Sequence, residues 1–292
     1  MIGSPAMTLQ VMVTLTWQAT LAGMGSAPPH EPVGSLLRQW RQLRRLSQQA
    51  LADRADVSTR HLSCVETGRA RPTAAMIERL ADHLEIPPQE RNTLLLAGGF
   101  APHYGHRPLD DAVLAPVLDG LRALLDAHAP YPALLIDDRW ELVDANAPAY
   151  ALMALLCDPD VLRPPVNVVR MSLQEQGFGR LVRNRGQLAA ALLLRVQHRA
   201  ERLGDPALLA LAAEVAAYVG PRAPAPALPG ALGPVLTIEL AVGDRTLRLC
   251  TVEAQLQGAT DATLARLHLE TFLPADAATQ VWLSEQAIVA AT

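Results

Sequence analysis

The stretch Leu46–Pro72, LSQQALADRADVSTRHLSCVETGRARP, constrains this chain more than any other. Ser47 is placed to cap a first short helix whose inward positions are Leu51, Ala52 and Ala55. The turn is Ala55-Asp56-Val57, with Asp56 where the backbone most needs a residue that tolerates the left-handed region. Ser58 caps a second helix. Val57 before that cap and Leu62 after it are spaced as a hydrophobic staple, which fixes the angle at which the chain enters the helix. Leu62 and Val65 then face inward, Thr59, Arg60, His61 and Ser63 face outward, and Gly68 ends the helix. The pattern is a helix-turn-helix.

Its motif residues carry a family resemblance. S-Q-x-x-L-A, then V-S, then the E-x-G-x-x-x-P tail formed by Glu66, Gly68 and Pro72 resemble the DNA-binding domain of Xre/Cro-type bacterial regulators. Asp56 departs from that pattern, standing where the family usually has Gly, at some cost in turn stability. The resemblance implies that the second helix enters the major groove of a double-stranded DNA operator while the first crosses the backbone. Thr59, Arg60, His61 and Ser63 are then the candidates for base readout, Gln48, Arg38, Arg69 and Arg71 for phosphates, and the capping Ser58 is a further DNA-binding candidate. One such module makes few base contacts, so a homodimer on two half-sites is expected.

Charge supports this reading only when it is mapped. The formal net charge of −4 argues by itself against a nucleic-acid binder. From Val33 to Pro72, however, eight arginines (38, 41, 44, 45, 54, 60, 69, 71) meet three acids (53, 56, 66), a local excess of five positive charges. Arg38, Arg41 and Arg45 occupy one face of the preceding helix, Val33–Leu46, and face either solvent or phosphate. Thr73 is placed to cap a fourth segment bearing Ile77, Leu80, Ala81 and Leu84. Pro87-Pro88 and Gly98-Gly99 bracket a last helix.

A chain of 292 residues accommodates about two domains. The boundaries read as 1–32, a disordered arm or an over-extended start; 33–100, the five-helix bundle; 101–110, a Pro/Gly linker; and 111–292, a second domain. In that domain Val113–His128 reads as a helix with Leu114, Val117, Leu118, Leu121, Leu124 and Leu125 inward. Pro132–Ile136 and Trp140–Ala145 read as a hairpin across Asp137-Asp138-Arg139, with Asn146 capping the helix that follows. Helices are expected over Val166–Leu173, Asn184–Leu203 and Pro206–Val219, then an irregular, proline-rich connection over Gly220–Pro234. Val235–Val242, Arg245–Leu256 and Leu264–Phe272 read as strands, the first two joined at Gly243-Asp244, and Ala277–Ala287 as a closing helix. The fold class is an N-terminal all-α helix-turn-helix bundle plus an α+β domain, its antiparallel sheet covered by helices on one face.

The segments YPALLIDDRWELVDAN and PPVNVVRMSL, with Tyr131-Pro132, Trp140, Asn146, Asn167 and Arg170 as motif residues, resemble the ligand-binding domain of MmyB-like transcription regulators. The resemblance spans about residues 33–285. It implies a PAS-like sensor holding a small apolar ligand, a fatty acid by family analogy, between sheet and helices. Arg170, with Asn167, is the candidate for a carboxylate head group, and Tyr131 and His198 are further candidates. Trp140, at the start of a strand, reads first as core and second as cavity wall, because aromatic side chains dominate core burial. Half of the residues are hydrophobic and only 4% aromatic, so few large side chains exist to fill the space between layers.

Other classes are disfavoured. No G-x-S-x-G, Walker loop, H-E-x-x-H or dinucleotide fingerprint occurs, so no enzyme is expected. His103 and His106 lack a third ligand, so no metal or cofactor is expected. Cys64, Cys157 and Cys250 form no C-x-x-C pair and fit a reducing, cytoplasmic setting, and no apolar run is long enough to span a membrane. One alternative stays open: a second domain that binds protein and no small molecule.

Overall fold

The computed structural model of the chain describes residues 31–219 and 235–291. The expected N-terminal arm and the proline-rich connection lie, except for the arm's last two residues, outside these. Five helices come first: α1 (Val33–Leu43), α2 (Gln48–Arg54), α3 (Thr59–Glu66), α4 (Ala74–His83) and α5 (Pro88–Ala97). Ser47, Ser58 and Thr73 each cap the helix that follows, accepting from the backbone N–H three residues on. Asp56 adopts a φ of 51°, the left-handed turn expected of it. Leu37, Leu51, Leu62, Val65, Ile77, Leu80 and Leu84 form the core of this bundle. Gly34 lets α1 lie directly on α3, because a Cβ there would come within 2.0 Å of the Val65 carbonyl oxygen.

The second domain runs α6 (Ala115–Ala127), β1 (Ala133–Ile136), β2 (Leu142–Ala145), α7 (Ala147–Leu156), α8 (Val168–Leu173), α9 (Arg185–Leu203), α10 (Pro206–Ala216), β3 (Ile238–Val242), β4 (Arg245–Gln255), β5 (His268–Pro274) and α11 (Ala277–Ala291). Its five strands form one antiparallel sheet in the order β2-β1-β5-β4-β3. Strand alternation sorts side chains to two faces. Leu134 and Ile136 join Leu240, Leu247 and Leu249 beneath α7–α10, the larger core. Ala133, Leu135 and Leu269 point the other way, to Leu114 and Leu125 at α6. The sheet is therefore covered on both faces over β1 and β5, not on one as expected. On α6 itself only part of the expected stripe is inward, since Val117 and Leu124 are exposed.

Two strand boundaries shift for physical reasons. Trp140 does not begin β2. It sits in the turn at φ 60°, where a bulky side chain is strained by about 1–3 kcal/mol. The Asp137 carboxylate accepts the Arg139 and Glu141 backbone N–H groups at 2.8 and 2.9 Å and holds that turn in place. Leu264–Arg266 forms a turn of 3-10 helix, so β5 starts only at His268.

The linker is tied to both domains. Asn92 on α5 accepts the backbone N–H groups of His103 and Tyr104 and donates to the Tyr104 carbonyl. Arg107 pairs with Asp261 at 3.0 Å, and the Thr263 hydroxyl donates to the Arg107 carbonyl.

Candidate nucleic-acid interface and ligand cleft

The N-terminal end of α3 projects from the bundle. Arg60 and His61 are exposed, and Thr59 and Ser63 half-buried. Thr59 donates to Gln49 at 2.8 Å, which ties α3 to α2, while Ser58 is spent on its cap to the His61 N–H. Among the described residues, no hydrogen bond or ion pair links α3 to the second domain. Arg38, Arg45, Arg54, Arg60, Arg69 and Arg71 are exposed, and none is paired with a carboxylate among the described residues.

Two expectations for this surface, at Arg41 and Gln48, are corrected, and Arg44 too is spent within the fold. Arg41 turns inward, forming a bidentate pair with Glu66 at 2.7 and 2.8 Å and donating to the Leu46 carbonyl, so it ties α1 to α3 and faces no phosphate. Burial opposes the charge on Glu66, but the hydrogen bonds of Arg41 and Gln48 outweigh it and hold its carboxyl below the usual range. Gln48 spends its amide on Glu66 at 2.8 Å, which removes it from the phosphate-facing set. Arg44 stacks 5.1 Å from the centre of the Trp40 ring and donates to the carbonyls of Leu84, Glu201 and Arg202, across the boundary between domains.

Between the sheet and α8–α9 lies a cleft of about 510 Å³, adjoining an apolar pocket of about 60 Å³. Val168, Ser172, Leu188, Ile238 and Phe272 line both, so the two share a wall; both are mainly hydrocarbon-lined, and the larger is of ligand size. Its polar end is formed by Arg195, Thr251, Glu253 and Glu270. The β4–β5 register sets Glu253 directly opposite Glu270, a repulsive pairing. Arg195 reaches down from α9 and bonds both, to Glu253 at 2.6 Å and Glu270 at 3.1 Å.

Trp140 lines this cleft, with the Arg199 guanidinium 3.8 Å from the centre of its ring. The other expected ligand residues do not line it. Arg170 is exposed on α8 and held bidentately by Glu214 at 2.7 and 2.8 Å. Asn167 caps α8 and donates to the Arg139 carbonyl. Tyr131 packs edge-on against His128, and His198 faces away on the exposed side of α9. Asn146 caps α7 while donating to the carbonyls of Leu125 and Tyr131. Sequence reasoning missed Arg195, Glu253, Glu270 and His268. One signal was present: Arg195, Arg199 and Arg202, spaced i, i+4, i+7, mark a single face of a long helix.

Below the cleft the charges continue. His268 is buried between Glu253 on Nδ1 and Asp138 on Nε2, both at 2.8 Å. Burial works against its charged form, but the two carboxylates outweigh this and raise its pKa above the ordinary imidazole value. Glu253 is held far below the carboxylate range, chiefly by its hydrogen bond from His268 and by Arg199 and Arg195. Burial pushes the Cys157 thiol up to about 12, so it is an inert core residue.

A helical bundle with a free, arginine-flanked α3, joined to a sheet domain with an apolar cleft, is the construction of a DNA-binding regulator with a ligand-binding domain. Comparison with known families agrees: residues 32–94 match a helix-turn-helix domain, and residues 117–285 match the MmyB-like transcription regulator ligand binding domain. The second match covers more than half of the chain, and the protein belongs to the MmyB-like family of transcription regulators. A comparison with curated proteins finds no match. No helix among the described residues is long and apolar enough to cross a membrane.

Proposed function

We propose that this chain is a sequence-specific, dimeric transcription regulator of the Xre type. Its PAS-like second domain senses a fatty acid or a similar acyl-chain molecule, and the protein acts in the cytoplasm. The observation that carries the reading is the mainly hydrocarbon-walled cleft whose polar end sets Arg195 beside Glu253, Glu270 and Thr251. Each methylene moved from water into such a space contributes about 0.8 kcal/mol, so a chain is favoured over a compact polar metabolite. Arg195 takes the head-group role that the sequence assigned to Arg170. On the DNA side, Thr59, Arg60, His61 and Ser63 read base edges, and Arg38, Arg69 and Arg71 hold phosphates. Half-sites lie about one helical turn apart. Ligand acts by favouring one arrangement of the domains over another.

Organic extraction of the purified protein followed by mass spectrometry tests the ligand class. A co-purified acyl chain, lost on replacing Leu188 with Trp to fill the cleft, is expected. Extracts free of any acyl chain, together with no binding of added palmitate, would remove the sensor reading.

A further inference from the structure

The charged groups at the polar end of the cleft do not stop there. Along the face of β4 and β5 that looks toward α9, successive cross-strand pairs are Thr251 with Phe272, Glu253 with Glu270, and Gln255 with His268. At about 3.3 Å per residue this ladder carries polar side chains roughly 13 Å along the sheet, away from the hydrocarbon walls. Arg195, Arg199 and Arg202 run beside it on α9. The links are contiguous. Arg195 bonds Glu253 and Glu270. Glu253 in turn bonds Arg199 and His268, and His268 bonds Asp138. Asp138, only 4% exposed, lies 3.5 Å from Arg202 and 3.4 Å from Arg266.

Both of these last arginines touch the DNA-binding domain. Arg266 donates to the Gln89 side chain in the first turn of α5. The backbone carbonyls of Arg202 and its neighbour Glu201 accept from Arg44 at 2.9 Å. Arg44 also clasps the Leu84 and Glu85 carbonyls at the α4–α5 turn. Close packing accompanies the polar contacts, with Trp40 and Leu43 of α1 lying against Gly204 at the end of α9.

We propose that this ion network, from Arg195 at the cleft through Glu253, His268 and Asp138 to Arg202 and Arg266, is the element that couples cleft occupancy to the seating of the sensor on α1 and α5. The proposal rests on the ligand reading above for its trigger but not for its wiring. A carboxylate arriving at Arg195 competes with Glu253 and Glu270, the two acids whose mutual repulsion that guanidinium now offsets. Released, they repel each other across the β4–β5 pair, and Glu253 is left with only its existing bonds to Arg199 and His268. Asp138 then shares its charge differently between His268 and the two arginines at the boundary. A ligand that bound only the hydrocarbon walls would leave Arg195 paired and the boundary unchanged.

Hydrogen–deuterium exchange on the full chain tests this. Without any ligand, Arg195→Gln and, separately, Glu253→Gln are expected to raise amide exchange in Glu85–Arg91 several-fold over wild type. Arg170→Gln breaks an exposed bidentate pair outside the cleft and is expected to leave those amides unchanged. Palmitate added to wild type is expected to reproduce the Arg195→Gln pattern and to have no further effect in Asp138→Asn. If both cleft variants fold, by circular dichroism, and leave Glu85–Arg91 at the wild-type rate, the coupling is overturned whatever palmitate does. If the variants loosen α5 but palmitate neither quenches tryptophan fluorescence nor alters exchange, the network stands and the acyl-ligand reading falls.

Discussion

The arginines around α1–α3 and those of α9 are the same residue in opposite electrostatic settings. Arg38, Arg60, Arg69 and Arg71 stand exposed, with no carboxylate on them among the described residues. Arg195, Arg199 and Arg202 are all matched within the fold, to Glu253, Glu270 and Asp138. An unmatched guanidinium cluster in a chain of net charge −4 is available to a polyanion. A matched one has its charge spent, and it can respond only when one of its partners is displaced. Local charge counting does not distinguish the two uses, because partners far away in sequence decide which arginine is free. Arg41 and Arg44 show this most sharply: they neighbour the DNA-facing group in sequence, yet both are consumed internally.

The largest effect is expected at the boundary between the two uses. Arg41→Ala strips a buried carboxylate of its bidentate partner, and should cost about 3 kcal/mol in urea unfolding. This is the low end for a broken buried pair, because Gln48 still donates to Glu66. A cost near zero would place Arg41 with the exposed arginines. Next comes Arg60→Ala, expected to cost about 1–3 kcal/mol on operator DNA and much less on random DNA, by fluorescence anisotropy. Equal losses on both would make Arg60 a phosphate contact and the orientation of α3 wrong.

A pH effect sharpens the other side. His268 is faced by Asp138 and Glu253, with Arg199, Arg195, Arg202, Arg266 and Glu270 close by, and its folded pKa lies above the ordinary 6.5. Its contribution to stability is therefore complete below about pH 6.5 and is lost as pH rises through the folded value. Unfolding measured across this range should show wild type losing its advantage over His268→Gln as pH increases. An advantage that grows with pH would mean that the imidazole is neutral in the fold.

The first domain was legible almost residue by residue, because its signals are local. Ser47, Ser58 and Thr73 cap where a cap is spaced, and Asp56 turns where a turn is needed. In the second domain the helices and the hairpin at Gly243-Asp244 were equally plain. The site was not. His268 and Glu270 alternate with Leu267 and Leu269, a pattern that reads as a strand with its polar side in water. Here α9 covers that polar side and α6 the other, so the ionisable residues are buried in a network that alternation cannot reveal. Arg170 misled for the complementary reason. Its partner Glu214 lies on a separate helix, and no spacing rule joins them.

Smallest in energy, and most direct, is the salt dependence of DNA binding. Affinity for one duplex should be measured over a range of salt for wild type, Arg69→Ala, Arg38→Ala and Arg195→Gln. If the exposed arginines hold phosphates, each of the first two variants lowers the slope of log affinity against log salt by about one, on any sequence, while Arg195→Gln keeps the wild-type slope. Slopes unchanged at Arg69 and Arg38, or lowered only at Arg195, would contradict the assignment of the free arginines to DNA.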